Sequence, residues 1–468
     1  EGPDDLATEL KAVLARGELP CVGATTEAEY RKHVERDPAL ARRFSPVYVE
    51  EPSAEATVAI LHGVAPRYEL HHAVAYEPEA IEAAVDLSVR YLPDRTLPDK
   101  AVGVLDLAAA RVRRRGGQVV GRDAVARVVA ELGRVPLDRL LLADAERLLA
   151  LEGELAARVV GHEASMTRIA DALRKGAAGF RGARPLATFL LLGPTGVGKT
   201  ETAKAISDVY YAGMPMTRID MSELSEPHGV ARLLGSPPGY VGHDEGGQLT
   251  EPVRRRPYQL VLLDEIEKAH PDVMLALLPL LDEGRLTDGR GRTVSFHNTI
   301  IVMTSNLGAH GAPRIAPAIG FGAAGADRTP RDATHDDEAA RVLAEARRSL
   351  PPELWNRIDE PLHFGALSEA EVGVIARRML AALGDRVEEA HGLRLAVDES
   401  AIEALVAAGG FDPKLGARPM RRTVGRLVEA PLAEAILGQR YARGATIRLV
   451  GDGDVVRLQV SDGVEAAE

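Results

Sequence analysis

Gly193, Pro194, Thr195, Gly196, Val197, Gly198, Lys199 and Thr200 form a glycine-rich octet closed by a cation and a hydroxyl. Residue types at that spacing suit one task, holding a chain of phosphates. The glycines let the backbone turn tightly enough to aim successive N–H groups at one anion, and a helix that starts at the lysine adds its positive end. Lys199 then bridges the β- and γ-phosphates, and the Thr200 hydroxyl takes a place on Mg²⁺. About sixty residues later the apolar run Leu260 to Leu263 ends in Asp264 and Glu265. There Asp264 holds Mg²⁺ through its water shell, and Glu265 orients and deprotonates the attacking water. Together the two stretches imply hydrolysis of a nucleotide.

That chemistry needs a strand before the loop and a helix after it. Thr188 to Leu192 is apolar, and Glu201 to Ser207 reads as helix. From about 160 to 365, short apolar strands alternate with helices, which predicts an α/β domain: a parallel sheet with helices on both faces. Strands are expected near Phe189, Thr217, Leu260–Leu263, Thr299–Met303 and Leu362. The strand Ile301 to Asn306 ends in a polar side chain beside the acidic pair, within reach of a γ-phosphate or the lytic water. Arg357 follows a Pro-Pro turn, and a rigid guanidinium suits developing phosphate charge. Gly320 to Asp337, rich in Gly, Ala and Asp, is expected to be a mobile surface loop.

Around this domain the chain of 468 residues divides further. Residues 1–52 read as the distal part of another α/β unit, with strands Leu19 to Ala24 and Val47 to Glu50. Helical periodicity over Ala54–Tyr68, Glu77–Tyr91, Lys100–Arg115 and Arg122–Gly133 makes 53–136 a helical domain. A linker helix covers 137–159. Helices return over 366–461, closing on a β-hairpin, and 462–468 is an acidic tail.

Composition sets limits. The chain is 46% hydrophobic and 27% charged, a globular balance. A net charge of −12 argues against a general duplex-DNA binder. No apolar run approaches a membrane span and no signal peptide is evident, so the expectation is a cytoplasmic protein without membrane partners. The single cysteine, Cys21, allows no internal disulfide and reads as a buried strand residue.

Longer stretches carry a resemblance. Gly235 to Thr250, Asp264 to Val273, Leu281 to Val294 and Thr304 to Gly308 resemble the second ATPase module of the Clp family of AAA+ unfoldases, of the ClpA, ClpC and ClpB type. Residues 10–110 resemble the distal half of the first module, through Gly23 to Glu27, Leu40 to Phe44 and Leu97 to Ala101. The resemblance implies an AAA+ P-loop fold with helical small domains. It implies a sensor role for Asn306, an arginine finger acting on a neighbouring subunit for Arg357, and a sensor arginine, Arg418, in the C-terminal small domain. Val159, Val160 and Gly161 match the segment lining the adenine pocket. Arg42 and Arg43 match the first module's fingers, with Thr25 or Thr26 as its sensor. A finger supplied in trans implies a ring, by family a hexamer.

Within Gly239, Tyr240, Val241 and Gly242, the tyrosine matches the loop that grips polypeptide in the axial pore; His243 stands where a second aromatic is common, and Trp355 replaces a phenylalanine beside the finger. Ile319, Gly320 and Phe321 match a tripeptide that docks on a ClpP-like peptidase ring. Between Ala110 and Val159 there is no coiled-coil insertion, as in ClpA. No phosphate loop for a first module lies upstream, so the chain is read as carrying one complete ATP site and half of another. The resemblance therefore implies an ATP- and Mg²⁺-dependent protein unfoldase and translocase feeding a ClpP-like peptidase, acting on unfolded polypeptides and not nucleic acid. The alternatives are a ClpB-like disaggregase without a protease partner, or a non-hydrolysing regulatory remnant.

Overall fold

The computed structural model describes residues 21–42, 44–92, 95–133, 135, 137, 144–236, 246–308, 330–412, 415–442 and 444–461. Four helices open the well-packed part: α1 (Ala54–His72), α2 (Pro78–Tyr91), α3 (Asp99–Arg114) and α4 (Arg122–Gly133). Local chemistry sets their ends. Ser53 caps α1 by accepting from the Ala56 N–H, and Pro78 starts α2, where a missing N–H costs nothing. Arg111, Arg113 and Arg114 sit in the last turn of α3, against its negative end. Ala80, Ile81, Ala84, Val85 and Ser88 bury one face of α2 against the other helices.

After α5 (Asp144–Arg158) and α6 (Glu163–Ala177) comes the sheet that carries the chemistry. Its strands are β1 (Ala187–Leu192), β2 (Thr217–Asp220), β3 (Leu260–Asp264), β4 (Ile300–Ser305) and β5 (Glu360–His363). They lie in the order β2-β3-β4-β1-β5, all parallel. Every residue of β1 and β4 is buried, as a sheet covered on both faces requires. Alternation along the strands assigns the two faces. Phe189, Leu191, Leu260, Leu262 and Val302 pack towards α7 (Lys199–Tyr211) and the first helical domain. Leu190, Leu192, Val261, Leu263 and Met303 pack into a second core with Leu280, Phe296 and Leu354. A short antiparallel pair, Arg285–Thr287 with Thr293–Ser295, lies outside this sheet and had no counterpart in the sequence reading.

The C-terminal part begins with α8 (Glu369–His391), started by a capping box between Ser368 and Glu371 and stopped by Gly392 in the left-handed region. The expected hairpin is present as β7 (Thr446–Asp452) and β8 (Val455–Ser461), and a third strand, β6 (Arg394–Val397), adds to it in parallel. Among the described residues no helix is long and apolar enough to cross a membrane.

Three expectations are corrected. Residues 21–24 and 47–50 form no strand; Cys21 is exposed, and Val47 and Val49 are 85% and 91% accessible. No described strand pairs with either segment, and an apolar run without a ladder partner gains nothing from extending. Of the loop expected over Gly320 to Asp337, residues 330–337 belong to a helix that runs from Pro330 to Ser349, and 320–329 lie outside the described residues. Its Asp-Asp-Glu-Ala-Ala-Arg sequence favours helix more than the Gly/Ala/Asp composition suggested. Residues 138–143 of the expected linker helix, and the acidic tail 462–468, lie outside the described residues.

Candidate nucleotide site

The octet sits between the end of β1 and the start of α7, the strand–loop–helix context that a phosphate loop requires. Its glycines are used structurally as well as chemically. Gly196 and Gly198 have φ of 83° and 103°. A Cβ on Gly193 would lie 2.1 Å from the Phe364 carbonyl oxygen, and one on Gly196 would lie 2.0 Å from that of Leu415. No side chain fits at either place. A Cβ on Gly198 would meet nothing within 4 Å, so this part of the loop faces open space.

Lys199 folds back over the loop. Its Nζ donates to the carbonyls of Gly193 and Pro194, at 2.5 and 2.8 Å, and to Asn306 Oδ1 at 2.9 Å. The residue is only 8% exposed. Burial lowers its pKa to about 8, opposed by the attraction of Glu267, Asp264 and Glu265.

The carboxylates stand at strand ends. Asp264 closes β3, and Glu265 follows it in the left-handed region, with φ 57° and ψ 54°. For a residue with a Cβ this conformation is strained, and it turns Glu265 out of the sheet direction. Thr304, on β4, holds both: its hydroxyl donates to Asp264 Oδ1 at 2.5 Å and accepts from the Glu265 N–H at 3.1 Å. Asn306 connects the next pair. Its Nδ2 donates to Glu265 Oε1 at 3.0 Å while its Oδ1 accepts from Lys199. The Asn306 N–H donates to Glu267 Oε1 at 3.0 Å, and Glu267 Oε2 is buried without a hydrogen-bonding partner among the described residues.

Two further segments close on the loop. Val159 is buried and Val160 half-buried; Gly161 and His162 both take positive φ, which aims His162 Nε2 at the Val197 carbonyl, 3.1 Å away. From the C-terminal part, the Ala417 N–H donates to the Gly196 carbonyl at 3.2 Å. Arg418 starts the next helix with its side chain exposed beside the loop. The structure thus brings together Lys199, Asp264, Glu265 and Asn306, with Thr200 in the first turn of α7 and Arg418 at the rim.

Arg357 takes no part in these contacts. Its Nε donates to Asp282 Oδ2 and its Nη1 to the Glu353 carbonyl, both at 2.5 Å. Thr26 caps a one-turn helix: its hydroxyl accepts from the Glu29 N–H, and the Thr25 hydroxyl donates to the Glu29 carboxylate. Arg42 is exposed just after the short helix Pro38–Ala41. Arg43, the segment Gly239, Tyr240, Val241 and Gly242, and the tripeptide Ile319, Gly320 and Phe321 lie outside the described residues.

Sequence reasoning passed over Thr304, Glu267 and Arg218. Thr304 and Glu267 stand inside stretches quoted for the family resemblance, yet only their hydrogen bonds reveal what they hold. Arg218 is the third: Nε and Nη2 donate to Asp264 Oδ2, at 3.1 and 2.6 Å.

The residues fit a nucleotide with Mg²⁺. The loop offers glycine-enabled backbone turns and a thirteen-residue helix N-terminus to an anion. Thr200 and Asp264 are hard oxygen donors, and no cluster of three or more metal-ligating side chains occurs among the described residues. Mg²⁺ bound beside phosphates needs only one or two protein ligands.

Comparison with known proteins matches three segments of the chain to family models. Residues 184–361 match the AAA domain (Cdc48 subfamily), 53–136 the AAA lid domain, and 367–449 the C-terminal, D2-small domain of ClpB protein. The Saccharomyces cerevisiae Hsp104–ADP complex superposes with a TM-score of 0.78 at 37% identity, covering 96% of this chain and 76% of that one. The chain belongs to the Clp family of AAA+ ATPases. Its Clp relatives include the negative regulator of genetic competence ClpC/MecB of Bacillus subtilis, 41% identical over 97% of this chain and 63% of that protein. The chaperone protein ClpB of Oceanobacillus iheyensis is 42% identical over 93% of this chain and 61% of its own length. The chloroplastic chaperone ClpC3 of Oryza sativa is 41% identical over 97% and 56%. The chain thus spans about three fifths of the length of these curated relatives.

Proposed function

We propose that this Clp-family chain binds and hydrolyses ATP at the Lys199 cluster and uses the cycle to unfold and translocate polypeptide, as one subunit of a ring that feeds a ClpP-like peptidase. The observation that carries the reading is the chain of contacts from Lys199 through Asn306 to Glu265, which links the phosphate-binding cation to the base. Lys199 exchanges its loop carbonyls for the β- and γ-phosphates. Asn306 keeps Glu265 Oε1 occupied, so that Oε2 faces the water and takes its proton as the water oxygen bonds to the γ-phosphorus and the bond to the leaving ADP oxygen breaks. Mg²⁺, held by Thr200 and Asp264, would neutralise charge on the phosphates. Arg418 rides on a segment bonded to Gly196, so the C-terminal domain responds to what the loop holds. Arg357 serves the ATP of a neighbouring subunit, which makes hydrolysis depend on assembly. Tyr240 grips the polypeptide, and Ile319, Gly320 and Phe321 dock the peptidase.

One observation favours a second reading, a disaggregase without a peptidase: ClpB and Hsp104 match this chain as well as the ClpC proteins do. ATPase activity measured against protein concentration, with and without a ClpP-type peptidase and an unfolded substrate, separates them. Activity that rises cooperatively and responds to the peptidase supports the first reading. Cooperative activity indifferent to it, with substrate stimulation kept, supports the second. No hydrolysis at any concentration removes both.

A further inference from the structure

Arg218 has no role in the reaction described above, yet it holds the carboxylate that the metal needs. It lies on β2 opposite Leu262 of β3, one pleat short of Asp264 on the same face. Its side chain reaches forward and places both Nε and Nη2 on Asp264 Oδ2. Oδ1 already accepts from Thr304. Both oxygens are therefore engaged by protein donors. The two partners differ in freedom: the Asp264 side chain is 13% exposed and that of Arg218 is 55% exposed. Asp264 is held from two sides, while the guanidinium can leave.

There is a place for it to go. An open cleft of about 480 Å³ adjoins Arg218 and is lined also by Asp220, Glu223, Gln248 and Arg256. Asp220 projects from the same face of β2 as Arg218, and its carboxylate is fixed by the N–H and hydroxyl of Ser222. That carboxylate offers the guanidinium a second seat.

We propose that Arg218 is a positioning residue that gates metal binding at Asp264, releasing Oδ2 and turning towards Asp220 when the Mg²⁺ of a bound nucleotide arrives. The proposal rests on the nucleotide-site reading above. Its physical basis is competition: a guanidinium and a hydrated divalent cation want the same carboxylate oxygen, and two cations side by side repel. Because the pair is partly solvated it sets a threshold and not a block. The gate also keeps Asp264 paired and oriented between turnovers, so a cation departs as a cation enters.

The test uses the full chain with a non-hydrolysable ATP analogue and Mn²⁺, whose paramagnetic resonance reports the bound metal directly. For Arg218→Gln, half-saturation with Mn²⁺ is expected at about fivefold lower metal concentration than for the unaltered chain. Arg218→Lys, which keeps a charge without the fork, is expected to fall between them. Arg256→Gln, across the cleft, is the control and should not shift. An Arg218→Gln variant that needs as much metal, or more, overturns the gate. Binding of a fluorescent ATP analogue in EDTA is measured in parallel. If the unaltered chain binds no nucleotide with or without metal, the nucleotide-site reading fails and the gate with it; nucleotide binding with an unshifted metal half-point removes the gate alone.

Discussion

Arg357 and the Lys199 cluster belong to one proposed reaction but are built in opposite ways. The cluster is closed on itself: Lys199, Asn306, Glu265, Thr304 and Asp264 form a continuous run of hydrogen bonds across two strand ends and a loop. Arg357 sits on a turn after a four-residue helix and gives its donors to Asp282 and Glu353. Groups that must meet within one chain are fixed by that chain's sheet. A group proposed to serve another copy stands outside that run of bonds, held by one carboxylate and one backbone carbonyl.

That contrast can be broken in four ways. Arg357→Ala should have the largest effect, lowering steady-state ATPase of the assembled protein by about 10³-fold while nucleotide affinity stays the same. Equal loss of nucleotide binding in a calorimetric titration would place Arg357 in its own chain's site. Glu265→Gln should keep nucleotide binding and reduce turnover by about 10²-fold or more, because the base is gone and the Asn306 contact survives. Hydrolysis at the original rate would remove Glu265 from its role.

The third test is pH. Burial holds Lys199 at about 8, below its ordinary value, and bound phosphate favours the protonated form and raises the pKa again. Affinity for nucleotide should therefore be level below pH 8. Above it, the free protein has lost the proton that binding must restore, so affinity falls by up to about tenfold per pH unit. An affinity that is flat to pH 10 would mean that Lys199 stays charged, or does not face phosphate. The smallest effect belongs to Asp282→Asn. Weakening the hold on Arg357 should raise ATPase of the assembled protein by no more than about threefold, with no change in a dilute sample. A change at every concentration would tie Asp282 to its own chain's cluster instead.

The site was legible where its chemistry is local. A phosphate loop works through consecutive backbone groups, so eight residues in a row announce it. The acidic pair ends an apolar run, and five of the expected strands lie where alternating apolar segments put them. Thr304 and Glu267 escaped because their work is cross-strand. One hydroxyl on β4 ties Asp264 to the Glu265 N–H, a bond whose partners are forty and thirty-nine residues away. Arg218 escaped for the same reason, forty-six residues from the carboxylate it clamps. The misread segments 21–24 and 47–50 teach the converse. Apolar composition alone called for strands, and without paired neighbours among the described residues none formed.

By itself, then, the order of residues determined the strand–loop–helix pattern around the glycine-rich octet, most of the helices of the first helical domain, and that a parallel sheet carries the acidic pair. These follow from backbone conformation and side-chain periodicity, which act over a few residues. The tertiary structure decided which side chains hold Asp264 and Glu265, that Arg357 is bonded to Asp282 and Glu353 and not to the Lys199 cluster, and that Arg218 is paired with Asp264. Such facts depend on the register between strands and the docking of one domain's loop on another, and hydrogen bonds at 3 Å are sensitive to both.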